Sequence, residues 1–153
     1  MLNFYDTLRM FERLASANWK PTLKRIGEAI RDNIQTKTAK GFDSVPRHRE
    51  IKRGTTGSRF SPYTKVYKNW KARNFPPAVP VNLYRTGEML KHLSQQETDK
   101  ECVVGFTTTI TAERASYNQT GRVPRHFFDV SKEANAQIDV IVNDFINQLF
   151  KGI

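Results

Sequence analysis

Cysteine is almost absent from this 153-residue sequence, acids are scarce in its first half, and apolar residues never run long. The single cysteine, Cys102, excludes an intramolecular disulfide framework and fits assembly in a reducing cytoplasm. It stands mid-strand before Val103-Val104, where a small buried hydrophobe is expected, not a nucleophile. No stretch approaches the roughly 18 apolar residues of a membrane span. Asp6, Arg9, Glu12 and Arg13 interrupt the N-terminal apolar run, so neither a membrane partner nor a secretory leader is expected. His48, His92 and His126 lie far apart, which excludes the paired ligand spacing of a zinc site. Gly54-Thr55-Thr56-Gly57-Ser58 is glycine-rich, but no strand precedes it and no Gly-Lys-Ser/Thr closes it, so it lacks what a phosphate cradle needs. Glu97, Asp99 and Glu101 alternate at a hairpin end, where acids ordinarily serve solubility. The expectation is a protein with no catalytic, cofactor or metal site, and not an enzyme.

What is present in excess is positive charge, and it is lopsided. Residues 1–80 hold 17 Lys/Arg against 6 Asp/Glu, whereas residues 81–153 hold 8 against 9. Between Pro46 and Arg73 the basic residues Arg47, Arg49, Lys52, Arg53, Arg59, Lys65, Lys68, Lys71 and Arg73 face one acid, Glu50. Tyr63, Tyr67 and Trp70 interleave with them, and Gly54, Gly57, Ser58, Ser61 and Pro62 give the stretch a loop composition. Concentrated positive charge attracts polyanions, whether nucleic acid or an acidic protein surface. The competing reading is a solvated loop whose lysines only keep the protein soluble.

Hydrophobic periodicity gives the elements. Leu2, Tyr5, Leu8, Met10, Phe11 and Leu14 recur at helical spacing and predict an amphipathic helix over 3–16. Pro21 suits the first turn of a second helix, whose stripe of Leu23, Ile26, Ala29, Ile30 and Ile34 runs to about Thr38 before Gly41. Periodicity is lost from Phe42 to Pro80, a length that usually marks a functional or disordered loop. Thr86 is the expected N-cap of a short helix through Met89, Leu90 and Leu93. Ser94–Glu97 and Glu101–Phe106 read as a hairpin, and the β-branched run Thr107–Ala112 as a third strand. Ser131 should cap a last helix bearing Ile138, Ile141, Val142, Phe145 and Leu149 on one face. The predicted fold is α+β in a single domain over 1–153: a helical region 1–41, an extended basic arm or loop 42–80, and an α+β core 81–153. In that core the C-terminal helix packs on a small antiparallel sheet of three to four strands.

Two short motifs carry the rest of the information. The first is Leu83-Tyr84-Arg85-Thr86-Gly87-Glu88-Met89-Leu90. The second is Ala115-Ser116-Tyr117-Asn118-Gln119-Thr120-Gly121-Arg122, followed by Val123-Pro124-Arg125-His126-Phe127-Phe128. In this order they resemble the tailed-bacteriophage virion morphogenesis family, the tail-completion and head–tail-joining proteins found in Mu-like phages. Leu83, Thr86 and Gly87 fill its Leu-x-x-Thr-Gly element, and Tyr117, Gln119 and Gly121 its Tyr…Gln-x-Gly element. Pro124 with Phe127 or Phe128 fills the Pro-x-Arg-x-Phe element. Asn118 departs from the family's histidine, and Arg125 follows Pro124 one residue early.

The resemblance implies a structural virion protein, assembled in the host cytoplasm, that completes the tail or neck and supports head–tail joining. The partners it implies are copies of the same chain in a ring, with a hexamer favoured, and neighbouring neck, tail-terminator or tail-tube proteins. Weak non-specific DNA contact is compatible with that place, and the basic residues with Tyr63, Tyr67 and Trp70 would form the interface arm. Phe127 and Phe128 are either core or an anchor for a neighbouring subunit. The alternative is a small basic DNA-binding protein using the same segment on phosphates.

Overall fold

The computed structural model describes residues 4–43, 59–60, 62–75, 83, 87–122 and 124–151. Its elements are α1 (Phe4–Ser16), α2 (Lys20–Lys40), α3 (Lys65–Asn74), α4 (Glu88–Lys91), β1 (Leu93–Glu97), β2 (Cys102–Phe106), α5 (Thr109–Thr120) and α6 (Lys132–Leu149). The α+β class agrees with the sequence reading, but the arrangement around the sheet differs from it in three ways.

The sheet among the described residues is one antiparallel hairpin, β1 on β2, registered from Leu93↔Phe106 to Glu97↔Cys102. The third strand expected over Thr107–Ala112 is instead the start of α5. Thr108 is the N-cap: its Oγ1 accepts from the Thr111 N–H at 3.3 Å, and the Thr111 hydroxyl donates to the Thr108 carbonyl at 2.9 Å. Threonine side chains that bond local backbone favour helix starts, so the β-branched run marks a cap and not a strand. The helix formers Ala112, Glu113, Arg114 and Ala115 then carry it on.

The second correction concerns what covers the hairpin. The C-terminal helix α6 was expected there, but its contacts run to α2, and α2 is the helix that lies on both strands. A two-stranded hairpin is marginal by itself and needs such a cover. Gly27 makes the approach close: a Cβ there would overlap Cys102 Sγ and stand 3.1 Å from Gln95 Cβ. On its other side α2 holds α6 through polar ties. Ser131 Oγ, the α6 cap, accepts from Ala134 N–H at 3.2 Å and donates to Asn33 Oδ1 at 2.7 Å. Lys37 pairs with Glu133 at 2.9 Å, and that hydrogen bond is the main reason the Glu133 carboxyl is pulled below its ordinary range.

Third, the region 42–80 is not all extended. Lys65–Asn74 is helical, and Phe60 is buried in the core with Ile34, Met89, Leu90, Leu93, Ala115 and Phe127. Phe60 is placed there because its N–H reaches the Gly41 carbonyl at 2.8 Å, beside a bridge between Phe42 and Arg59. Near the N-terminus, α1 keeps its amphipathic pattern yet leaves Leu8 and Phe11 exposed. It is tied down at its end, where Trp19 Nε1 donates to the Leu14 carbonyl and the Trp19 ring meets Phe145 at 4.5 Å.

Valine at Gly27 should lower stability by about 1–3 kcal/mol, because the added carbons force β1 and β2 off α2. Urea unfolding of Gly27→Val checks this, and an unchanged midpoint would show that the contact is loose.

Candidate functional site

The basic segment and both sequence motifs meet at one cleft of about 680 Å³. Its first wall is α3 and the residues leading into it. Thr64 caps α3 by accepting from the Tyr67 N–H at 3.4 Å, and the aromatic residues then follow at helical spacing. Tyr63 meets Tyr67 at 4.9 Å, Tyr67 meets Trp70 at 5.4 Å, and Trp70 meets Phe75 at 5.5 Å, all between ring centroids. The result is an aromatic ladder along one side of a basic helix.

The second wall is the first motif. Leu83 and Gly87–Leu90 line the cleft, with Met89 and Leu90 buried at its base. Gly87 precedes α4 with φ 80°, a left-handed conformation that glycine adopts without Cβ strain. Leu83 also has positive φ, 49°, which is costly for a branched side chain and occurs where surrounding packing enforces it.

The third wall is the C-terminal half of α5 and the second motif: Arg114, Tyr117, Asn118, Gly121, Arg122 and Arg125. Gln119 fixes the chain leaving this wall. Its Oε1 accepts from the N–H groups of Phe127 (3.2 Å) and Phe128 (3.3 Å), and its Nε2 donates to the Phe128 carbonyl. Phe127 is thereby held in the core at 0% exposure, and Phe128 stacks on Phe106 at 5.3 Å. Of the two roles open for this aromatic pair, Phe127 takes core packing. Gly121 ends α5 with its own backbone against the Tyr117 carbonyl, which a Cβ would overlap.

The electrostatics of the cleft are one-sided. Lys71, Arg114, Arg122 and Arg125 line it with a single acid, Glu88. Lys71 is fully buried, its Nζ donating to Tyr63 Oη at 3.2 Å and lying 4.9 Å from the Tyr63 ring centroid. Arg125 stands over the same ring at 5.3 Å. Burial pushes the Lys71 amine below its ordinary value, and the like charge of Arg125 pushes it further. Such a cleft attracts anions, with tyrosine hydroxyls at hand as further donors.

Lys71 differs from the solvated cation expected of it, whereas Arg59, Lys65, Lys68 and Arg73 are exposed, with Arg59 over the Phe42 ring at 5.6 Å. Arg47, Arg49, Lys52, Arg53 and Thr86 lie outside the described residues. The short helix expected to start from Thr86 and run through Leu93 instead has Gly87 as its N-cap and ends at Lys91, with Leu93 opening β1. Tyr117 stands 76% exposed beside the cleft, and Pro124 is exposed on the turn that follows. Arg114 is not singled out by the sequence, and Arg122 and Arg125 stand there only as motif positions, because the second half of the chain is balanced in charge overall. Helix α3 did have a signal: the Tyr63–Tyr67–Trp70 spacing after Thr64.

Elsewhere the chemistry is quiet. Cys102 sits against Gly27, its thiol pushed up by burial and by Glu97. A raised thiol is a poor nucleophile. Among the described residues no group of three His, Cys, Asp or Glu is placed to hold a metal ion, and no helix is long and apolar enough to cross a membrane. No protein-family model, curated protein or solved structure matches this chain.

Gly87→Val and Gly121→Val should each cost about 1–3 kcal/mol, the first through positive φ and the second through overlap with the Tyr117 carbonyl. Melting temperatures measure both, and unchanged values would remove the two glycines from the cleft's framework. Lys71 gives a pH test. Its folded-state pKa is lowered, so between that value and about 10.4 the unfolded chain binds more protons than the folded one. Stability of the wild type relative to Lys71→Met should therefore rise as pH climbs from 7 towards 10. Urea midpoints across that range would contradict the buried charge if the difference stayed flat.

Proposed function

We propose that this chain is a structural virion protein of a tailed phage, completing the tail or neck so that it joins the filled head. The observation that carries this reading is the convergence of both family-like motifs and the basic aromatic helix on one cleft. The motif residues are framework there: Gly87 and Gly121 shape two walls, and Gln119 locks Phe127 behind them. A framework that presents cations and aromatic rings on a rigid concavity suits protein–protein joining, where aromatic and arginine side chains dominate the energetics.

The second reading, a dedicated DNA-binding protein, draws on the Tyr63–Tyr67–Trp70 ladder, since bases stack on such rings. Against it, two of the cations nearest the ladder, Lys71 and Arg125, are engaged with Tyr63, and neither is openly exposed. The structural reading expects filled heads and tails that lack their completed head-proximal end to accumulate unjoined when the protein is removed from a producing cell, as seen by electron microscopy. Normal yields of infectious particles would end it. It also expects only non-specific duplex affinity, about 10⁻⁴–10⁻⁶ M near physiological salt. Competition between defined and random duplexes showing discrimination of about a thousandfold would favour the DNA-binding reading instead.

A further inference from the structure

The hairpin carries opposite charges at its two ends. At the Leu93/Phe106 end, β1 is preceded by α4 and β2 is followed by α5, so the strands lead into two walls of the basic cleft. At the other end the turn between Glu97 and Cys102 bears Asp99 and Glu101, both exposed, next to Glu97. Lys100 is the only cation among them. Five residues of strand separate the ends by roughly 15 Å, so a molecule's own turn points away from its own cleft. The turn is also fixed in shape. Thr98 N–H donates to the Glu101 carbonyl at 2.8 Å, and Thr98 Oγ1 accepts from Lys100 and Glu101 N–H at 3.3 and 3.1 Å. A turn already ordered loses little entropy when it docks.

We infer that the acidic β1–β2 turn of one copy docks into the basic Lys71–Arg114–Arg122–Arg125 cleft of the next copy. Charge complementarity selects this occupant: the turn bears exposed acids, and the exposed cations lining the cleft are Arg114 and Arg122. Because the two surfaces are different and lie at opposite ends of the hairpin, the contact is head-to-tail. Head-to-tail contacts give a closed ring when the rotation between copies closes, and an open filament when it does not. The inference rests on the structural role proposed above, for which the family resemblance implies a ring of copies, and supplies an interface for that ring.

The test uses two double variants of the full chain, confined to exposed side chains so that the fold is kept, as circular dichroism verifies. The turn variant is Asp99→Lys with Glu101→Lys; the cleft variant is Arg114→Glu with Arg122→Glu. Sedimentation equilibrium should show each self-associating about a hundredfold more weakly than wild type. Mixed one to one, they should co-assemble beyond pairs, because the wild-type turn of one fits the wild-type cleft of the other and their exchanged charges fit each other in turn. All four substitutions in one chain should restore association, since the charges are then exchanged. Wild type remaining monomeric at about 1 mM, or either variant assembling as wild type does, would overturn the docking. So would a turn variant that assembles normally while the cleft variant loses duplex binding, which would assign the cleft to nucleic acid. Unchanged assembly alongside normal head–tail joining would remove this interface alone and leave the structural role standing.

Discussion

The approach of α2 to the hairpin at Gly27 is the contact on which the other layers depend. Two five-residue strands have no second sheet to lean on, and their inward residues Leu93, Val104 and Phe106 need an apolar surface. Helix α2 provides it with Ile30 and Ile34, and at Gly27 the absence of a side chain lets Cys102 and Gln95 sit against its backbone. On its far side α2 takes α6 through Asn33–Ser131 and Lys37–Glu133. Once the hairpin is anchored, α4 and α5 are fixed at one end of it, and that fixes two of the three cleft walls. The cleft is thus a consequence of the hairpin's seating.

Its chemistry comes from joining residues that are distant in the chain. Tyr63 receives Lys71 from α3 and Arg125 from the segment after α5, so one ring accepts two cations from different parts of the sequence. Cation–π contact offsets part of the cost of bringing like charges together, but desolvation and Arg125 still leave Lys71 poorer in protons than a free lysine. The aromatic ring is one contact that these two cations share, and Glu88 is the one acid on the lining of the cleft.

How much of this was legible in the sequence depended on whether a signal was local. The caps and stops were readable: Pro21 and Gly41 bound α2, and Ser131 starts α6. So was the hairpin, because Thr98-Asp99-Lys100 separates two short runs of strand composition. The Thr107–Ala112 stretch misled because β-branched threonines serve both strands and helix starts, and only the Thr108–Thr111 hydrogen bonds decide between them. Helix α3 was hidden by its weak apolar face, since its ordered side is made of tyrosine and tryptophan amid lysines. Which helix covers the sheet had no local signal at all; a missing Cβ at residue 27 decides it through a partner about seventy residues on. For the same reason the basic stretch 47–73 supplies only Lys71 to the cations lining the cleft, the other three being Arg114, Arg122 and Arg125.

The charge state of the cleft and its occupancy are linked. An anion placed beside Lys71 and Arg125 favours the protonated amine and so raises a pKa that burial has lowered. By reciprocity, any condition that strips the Lys71 proton weakens the anion's hold, while an occupied cleft stabilises the fold around it in proportion to occupant concentration. Arg114 and Arg122, exposed and always charged, attract an anion at a distance and are screened by salt; Lys71, fully buried, is screened far less. In the proposed docking, the outer pair would govern how fast the acidic turn arrives and the inner pair around Tyr63 how long it stays. The Gly87 and Gly121 backbones and the Gln119 hydrogen bonds shape the walls before any occupant arrives, and a cleft already shaped would not have to be reopened at each docking.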